Sequence, residues 1–270
     1  MILETHQGKG DGTEQYREQG CVVSFEKNRE TYSKIRKRFR DAFSLDKCLE
    51  DSSELVEIAE TCKTSVGYPI LIPSFPTDSN AAMPRLISQN CRFDIVDIDP
   101  YGSPRQFISL ALELLNDKSI LLTTSGEMHS VRFQPQKSLT PYGIQANNRF
   151  KSTQRFFRTD NILVLGAWIV QRGLEKSFGL YPIFIYDYYT GHSGVQRIGF
   201  FVRRHINLNQ RSEIRAQMLM DPFLKTKIVR CCFKRKANRG IQIPWRFHDD
   251  TSENEIRDFI TSRLELLNKS

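Results

Sequence analysis

Phe93-Asp94-Ile95-Val96-Asp97-Ile98-Asp99-Pro100-Tyr101-Gly102-Ser103-Pro104 is the stretch on which the reading of this chain turns. Phe93–Ile98 is a short apolar run with carboxylates interleaved, and it predicts a strand. The run ends in Asp-Pro-Tyr-Gly-Ser-Pro, residues that suit a turn after a strand. In open α/β sheets, ligands bind beyond the carboxyl ends of the strands, so the same residues are candidates for a site. Working outward, short apolar runs alternate with helical segments, the pattern of a parallel sheet with crossover helices. Upstream strands are expected at Met1–His6, Cys21–Phe25 and Pro69–Pro73, the last weakened by its prolines. Helices are expected at Arg29–Phe43 and Ser52–Thr61. Downstream come a helix at Phe107–Leu115, a strand at Ser119–Thr124 and a long helix at Asn161–Glu175. Tyr181–Tyr188 and Gln196–Arg203 read as two aromatic-rich strands joined through Thr190-Gly191-His192-Ser193-Gly194, a hairpin signal. Glu255–Leu267 reads as a final amphipathic helix.

The chain has 270 residues, of which 39 % are hydrophobic, enough for one large α/β domain with an appendage. We expect a domain over residues 1–206 and a basic extension over 207–270. No apolar run approaches the roughly 20 residues that span a bilayer, and Met1-Ile2-Leu3 opens without a signal-peptide pattern. This points to a cytoplasmic protein with no membrane partner. The six cysteines form no CxxC pair and show no zinc spacing, so no metal is expected. The net charge of +8 is uneven: residues 1–150 carry −2 and residues 151–270 carry +10. A basic surplus in one half suits a polyanionic partner, although basic solvated surface is also common.

Four segments carry chemistry. Glu4-Thr5-His6-Gln7-Gly8-Lys9-Gly10-Asp11-Gly12 follows the first strand and precedes a helix, where Gly8 and Gly10 permit a tight turn and close approach of a ligand. Glu26-Lys27 ends the second strand about 20 residues on, where a carboxylate can accept both ribose hydroxyls of a nucleoside. Thr77-Asp78-Ser79-Asn80-Ala81 follows the third, where Asp78 can accept from an adenine amino group or cap a helix. In the fourth, Asp99 and the Pro100 carbonyl form an acceptor pair able to hold the two N–H groups of an exocyclic amine. That leaves the nitrogen lone pair available for attack, with Pro100 fixing the backbone and Tyr101 offering a face for an extruded base.

The element order resembles a Rossmann-like class I methyltransferase fold: a mostly parallel seven-stranded sheet closed by a C-terminal antiparallel hairpin. Phe93–Pro104 is similar to the core motif of the tRNA guanine-N2 dimethyltransferase family, FDxIDxDP(F/Y)GSP. Asp78-Ser79-Asn80-Ala81 is similar to that family's cofactor-touching DAN segment, and the segments from Asn161 to Arg197 resemble its later pattern. The resemblance covers roughly residues 70–205. It implies S-adenosyl-L-methionine (SAM) as cofactor; with the strand-end readings above, the candidates to hold it are Glu4, His6, Gly8, Gly10, Glu26, Lys27, Asp78, Ser79 and Asp97. It implies Asp99, Pro100 and Tyr101 as catalytic residues and tRNA as substrate. The glycine loop differs from the family's usual version, the first strand begins at Met1, and no counterpart of the family's full C-terminal tRNA-binding domain is recognisable.

Two basic segments are candidates for nucleic-acid contact: Arg149, Lys151 and Arg155 before the long helix, and Lys234, Arg235 and Lys236 within Lys225–Arg239. The basic helix from Lys27 to Arg40 is first of all a solvated face. His6 is the histidine best placed for a role in the site. Two readings compete with the RNA enzyme. One is a DNA adenine- or cytosine-amine methyltransferase of a mobile element, since Asp-Pro-Tyr is also similar to the (D/N)PP(Y/F) signature of those enzymes. The other is a SAM- or RNA-binding subunit without turnover, completed by a protein partner or as a homodimer.

Overall fold

The computed structural model describes residues 1–50, 57, 67–126, 157–190, 193–207, 246–248 and 252–269. The chain divides into two compact units: Met1–Pro100 with Pro104–Leu122, and Tyr101–Ser103 with Thr123–Ser270.

In the first unit the elements are β1 (Ile2–Glu4), α1 (Asp11–Arg17), β2 (Val22–Ser24), α2 (Arg29–Arg38), β3 (Phe43–Ser44), α3 (Leu45–Glu50), β4 (Ile70–Ile72), α4 (Ser79–Ser88), β5 (Phe93–Ile98) and α5 (Arg105–Leu114), followed by β6 (Leu115–Ser125), whose last three residues belong to the second unit. The strands lie in the order β3-β4-β2-β1-β5-β6. β1 pairs in parallel with both β2 and β5, and β4 pairs in parallel with both β2 and β3. β1, β2 and β4 are buried along their whole length, which explains why they read as continuous apolar runs rather than alternating ones. These three strands are each shorter than their sequence runs, because the flanking residues leave the ladder to form the loops above the sheet. α2 starts where the Asn28 side chain accepts from the Thr31 N–H. It ends at Arg38 rather than at Phe43, because Phe39 leaves the helical conformation and buries its ring with Tyr32, Ile35, Ile70 and Ile72. β3 and α3 were not expected from the sequence. The expected helix Ser52–Thr61 lies outside the described residues except for helical Glu57.

The second unit contains the end of β6, α6 (Phe157–Glu175), β7 (Gly179–Thr190), β8 (Ser193–Arg203), β9 (Arg246–His248) and α7 (Glu253–Lys269). β7 and β8 form the expected antiparallel hairpin, paired from Gly179 with Arg203 through to Thr190 with Ser193, with a bulge between Pro182 and Phe184. The strand order is β6-β8-β7-β9, with β9 parallel to β7. α6 buries Leu165, Ile169, Val170 and Leu174, spaced to lie on one helical face. α7 opens with a reciprocal cap: the Glu255 carboxylate accepts from the Ser252 N–H and hydroxyl, and the Ser252 hydroxyl accepts from the Glu255 N–H.

A mostly parallel sheet completed by an antiparallel hairpin, with crossover helices, is a Rossmann-like class I methyltransferase fold. Two short strands, β3 and β9, are added to the seven expected. No helix among the described residues is long and apolar enough to cross a membrane.

Candidate functional site

The site is built where β1, β2, β4 and β5 end together. The register sets Glu4 beside Ser24 on one side and Asp97 on the other. Side chains alternate along a strand, so these three share one face of the sheet, and Asp99 lies just past the end of β5. The Ser24 hydroxyl donates to Glu4 Oε2 at 3.0 Å, and the Thr13 hydroxyl donates to the same oxygen. Glu4 is therefore turned beneath the glycine loop, where it ties β1 to β2 and to α1. It is only 5 % exposed, and burial is the main force pushing its carboxyl up to about 7. The hydroxyl bonds oppose that shift, and the charges of Asp97 and Asp99 add to it.

The loop above Glu4 runs from Thr5 to Gly10. The Gln7 N–H donates to the Phe25 carbonyl, the Gly10 N–H donates to the Gln7 carbonyl, and the Gln7 side chain donates to Thr13 Oγ1 at 2.9 Å. Gly8 and Gly10 both take positive φ, which L side chains rarely adopt. At Gly10 a Cβ would also lie 2.9 Å from the Phe39 ring, so the turn has no room for a larger residue.

Around this loop the expected cofactor residues come together. Glu26 Oε2 accepts from the Gly8 N–H at 3.2 Å and Oε1 from the Asn28 N–H at 2.7 Å. The Glu26 carbonyl accepts from the Thr77 N–H, joining the end of β2 to the segment that leads to Asp78. Asp78 caps α4 by accepting from the Asn80 N–H at 2.8 Å and faces Lys27 Nζ at 3.7 Å. The capping reading of Asp78 is observed, with one oxygen on the helix N-terminus and the other facing Lys27. The buried Ser79 donates to the Thr5 carbonyl, a bond that anchors the start of α4 to the loop. His6 is half-buried, with its ring edge-on to Phe107 at 4.7 Å between centroids. Burial, then the charge of Lys27, pushes its pKa down to about 4, so the ring is neutral at pH 7.

Asp97 is 4 % exposed and accepts from the Tyr16 hydroxyl. Its carbonyl accepts from both the N–H and the hydroxyl of Thr5. Asp99, just past the end of β5, is exposed, Pro100 is buried, and Tyr101 is fully exposed. Asp97 is thus pinned at the end of β5, while Asp99 beyond it is exposed. The candidate nucleic-acid residues Arg149, Lys151, Arg155, Lys234, Arg235 and Lys236 lie outside the described residues.

Several partners escaped the sequence reading. Tyr16 and Thr13 lie on α1, Ser24 on β2 and Thr5 in the loop. Ser24 had a detectable signal, because it sits two residues before Glu26 on a strand already assigned. Tyr16 had none, because its partner Asp97 lies 81 residues away.

The profile of the N2,N2-dimethylguanosine tRNA methyltransferase family matches residues 57–148. A tRNA (guanine(26)-N(2))-dimethyltransferase of Pyrobaculum arsenaticum is 28 % identical over 116 residues, which is 43 % of this chain and 30 % of that protein. A tRNA (guanine(26)-N(2))-dimethyltransferase of Arabidopsis thaliana is 28 % identical over 71 residues, 26 % of this chain and 12 % of that protein. The matches thus span about a third or less of these relatives' length. Among solved structures, Trm1 from Pyrococcus horikoshii in complex with S-adenosyl-L-methionine superposes with a TM-score of 0.54 at 17 % identity, covering 79 % of this chain and 52 % of that one. The family resemblance carried by the segment through Asp99 thus recurs in the family profile and in these relatives, over part of the chain.

Proposed function

We propose that this chain is a SAM-dependent methyltransferase acting on the exocyclic amine of a nucleic-acid base, guanine N2 in tRNA. The observation that carries the reading is the alignment of Glu4, Ser24 and Asp97 beneath the loop, with Asp99 exposed just past the end of β5.

The residues present fit the cofactor by the chemistry of their groups. Glu26 is a carboxylate at the end of β2, suited to ribose hydroxyls, and its grip on Gly8 links it to the glycine loop. Asp78 stands at the end of β4, suited to an adenine amino group. The neutral His6 adds no positive charge beside a sulfonium, while Asp97 and Asp99 supply negative charge nearby. When bound, SAM supplies an electrophilic methyl group. Glu4 and Ser79 act from behind, holding the loop rather than touching the ligand.

Asp99 and the Pro100 carbonyl accept the two N–H groups of the amine, orienting its lone pair. The Asp99 carboxylate then takes the surplus proton once nitrogen has gained the methyl group. Tyr101, fully exposed, stacks on the base. Positioning of this kind supplies much of the rate in a group transfer. The basic C-terminal half serves the phosphates of the RNA.

The test is transfer of labelled methyl groups to tRNA and to DNA, with products digested to nucleosides. Label in N2-methylguanosine is expected for the wild type. Asp99→Ala should give none while binding SAM normally. Undiminished transfer by Asp99→Ala would overturn the role of Asp99, and label only in a DNA nucleoside would replace the RNA reading with a DNA one.

A further inference from the structure

The end of α2 grips the glycine loop from outside. The Arg38 guanidinium reaches across to α1 and the loop, where Nη1 donates to the Lys9 carbonyl at 3.0 Å and to Asp11 Oδ1 at 2.7 Å. Its Nε lies 3.6 Å from Glu14 Oε2. The same guanidinium sits over the Phe39 ring, 5.5 Å from its centroid. That ring is the surface against which Gly10 packs with no room for a Cβ. The last residue of α2 and the one after it therefore meet the loop in two ways: Phe39 by shape against Gly10, Arg38 by a hydrogen bond to the residue between the two glycines.

This arrangement answers a physical problem of the loop itself. Glycines at positive φ let the chain turn, but they also leave the unbound backbone many conformations to lose on binding. A carbonyl held from outside removes much of that freedom before the ligand arrives, and preorganisation of this kind raises affinity by lowering the cost of ordering. Arginine suits the task because its planar fork can serve a carbonyl and a carboxylate at once, whereas lysine offers a single point charge.

We propose that Arg38 is a positioning residue for the glycine loop: it clamps the Lys9 carbonyl and Asp11 and so presents the Gly8–Gly10 backbone to the nucleoside cofactor. This rests on the reading of that loop as the cofactor loop. Arg38 itself touches neither cofactor nor base.

The experiment is SAM binding by calorimetry and steady-state kinetics for the wild type, Arg38→Met, Arg38→Lys, Lys34→Ala and Glu26→Ala. Methionine keeps the stem over Phe39 and removes the polar contacts. Arg38→Met should raise the Kd for SAM about fivefold at low salt, the scale of one exposed charged contact. Its kcat at saturating SAM and its KM for tRNA should be unchanged, with Arg38→Lys intermediate. The gap from wild type should narrow in about 0.5 M NaCl, because exposed charges are screened. Lys34→Ala breaks an exposed pair with Glu30 on the same helix and should change nothing. Glu26→Ala tests the underlying reading, and it should weaken SAM strongly. If Glu26→Ala weakens SAM while Arg38→Met binds as wild type does, the clamp is wrong and the cofactor loop stands. If Glu26→Ala binds normally, the cofactor-loop reading fails first. A fall in kcat and thermal stability with unchanged Kd in Arg38→Met would make Arg38 merely structural and overturn the proposal.

Discussion

Replacing Glu4 by glutamine should make the protein more stable at pH 8 and no more stable at pH 4.5. The carboxyl is buried, and its pKa rises from an ordinary 4.5 to about 7, chiefly through desolvation. A group with a raised folded-state pKa binds its proton more tightly when folded. Its contribution to stability is therefore fully present below about pH 4.5 and is lost as pH rises to about 7. At about 1.36 kcal/mol per pH unit, the loss comes to about 3 kcal/mol. That figure already includes the Thr13 and Ser24 hydroxyl bonds, so the amide is properly compared with the protonated acid. Glutamine can place its carbonyl where Oε2 accepts both hydroxyls. Its NH2 would then take the position of Oε1, which faces Gly12. Urea unfolding followed by tryptophan fluorescence at pH 4.5, 6, 7 and 8 measures the difference. The stability gap between Glu4→Gln and wild type should grow from near zero to about 3 kcal/mol across that range. Two parallel curves would refute the reasoning, since they would mean that Glu4 does not change its protonation between folded and unfolded states in this window.

Tyr16→Phe removes the hydroxyl that donates to buried Asp97 and should cost about 1.5–3 kcal/mol in chemical denaturation. A cost below a few tenths of a kcal/mol would mean that the bond does not hold α1 to β5. Asp78→Ala takes the cap from α4 and should cost about 1 kcal/mol, with the exposed Lys27 pair adding little. Asp78→Asn should recover most of that cost, because asparagine caps equally well, and thermal melts of the two variants will separate cap from charge. Gly173→Ala should destabilise the second unit by about 1–3 kcal/mol, because its Cβ would fall 1.9 Å from Leu180 Cδ1 where α6 meets β7. A neutral result in thermal denaturation would show that Leu180 has another rotamer available.

Much of this protein could be read from its sequence. The alternation of buried apolar runs and helical segments depends on local periodicity, so the parallel strands and the hairpin could be anticipated, with strand ends misjudged by a few residues. The sequence places Glu26, Asp78 and Asp99 just beyond strands, and strand ends in such sheets fall at one edge. What the carboxylates do there was not recognisable. Glu4 is recognisable as a carboxylate at a strand end, but its partners are not: parallel pairing sets it beside Ser24, and the packing of α1 brings Thr13 to the same oxygen. Ser79 likewise donates to Thr5, 74 residues away, and Tyr16 to Asp97, 81 residues away. Arg38 looked like one charge among many on a solvated helix until its stop at Phe39 aimed it at Lys9. The sequence by itself determined which residues lie on strands, which face they share and where the strands end, because those follow from periodicity and turn chemistry within a few residues. Only the tertiary structure decided which buried oxygen meets which hydroxyl and which cation holds the loop, because strand register and helix packing are set by contacts between residues far apart in the chain.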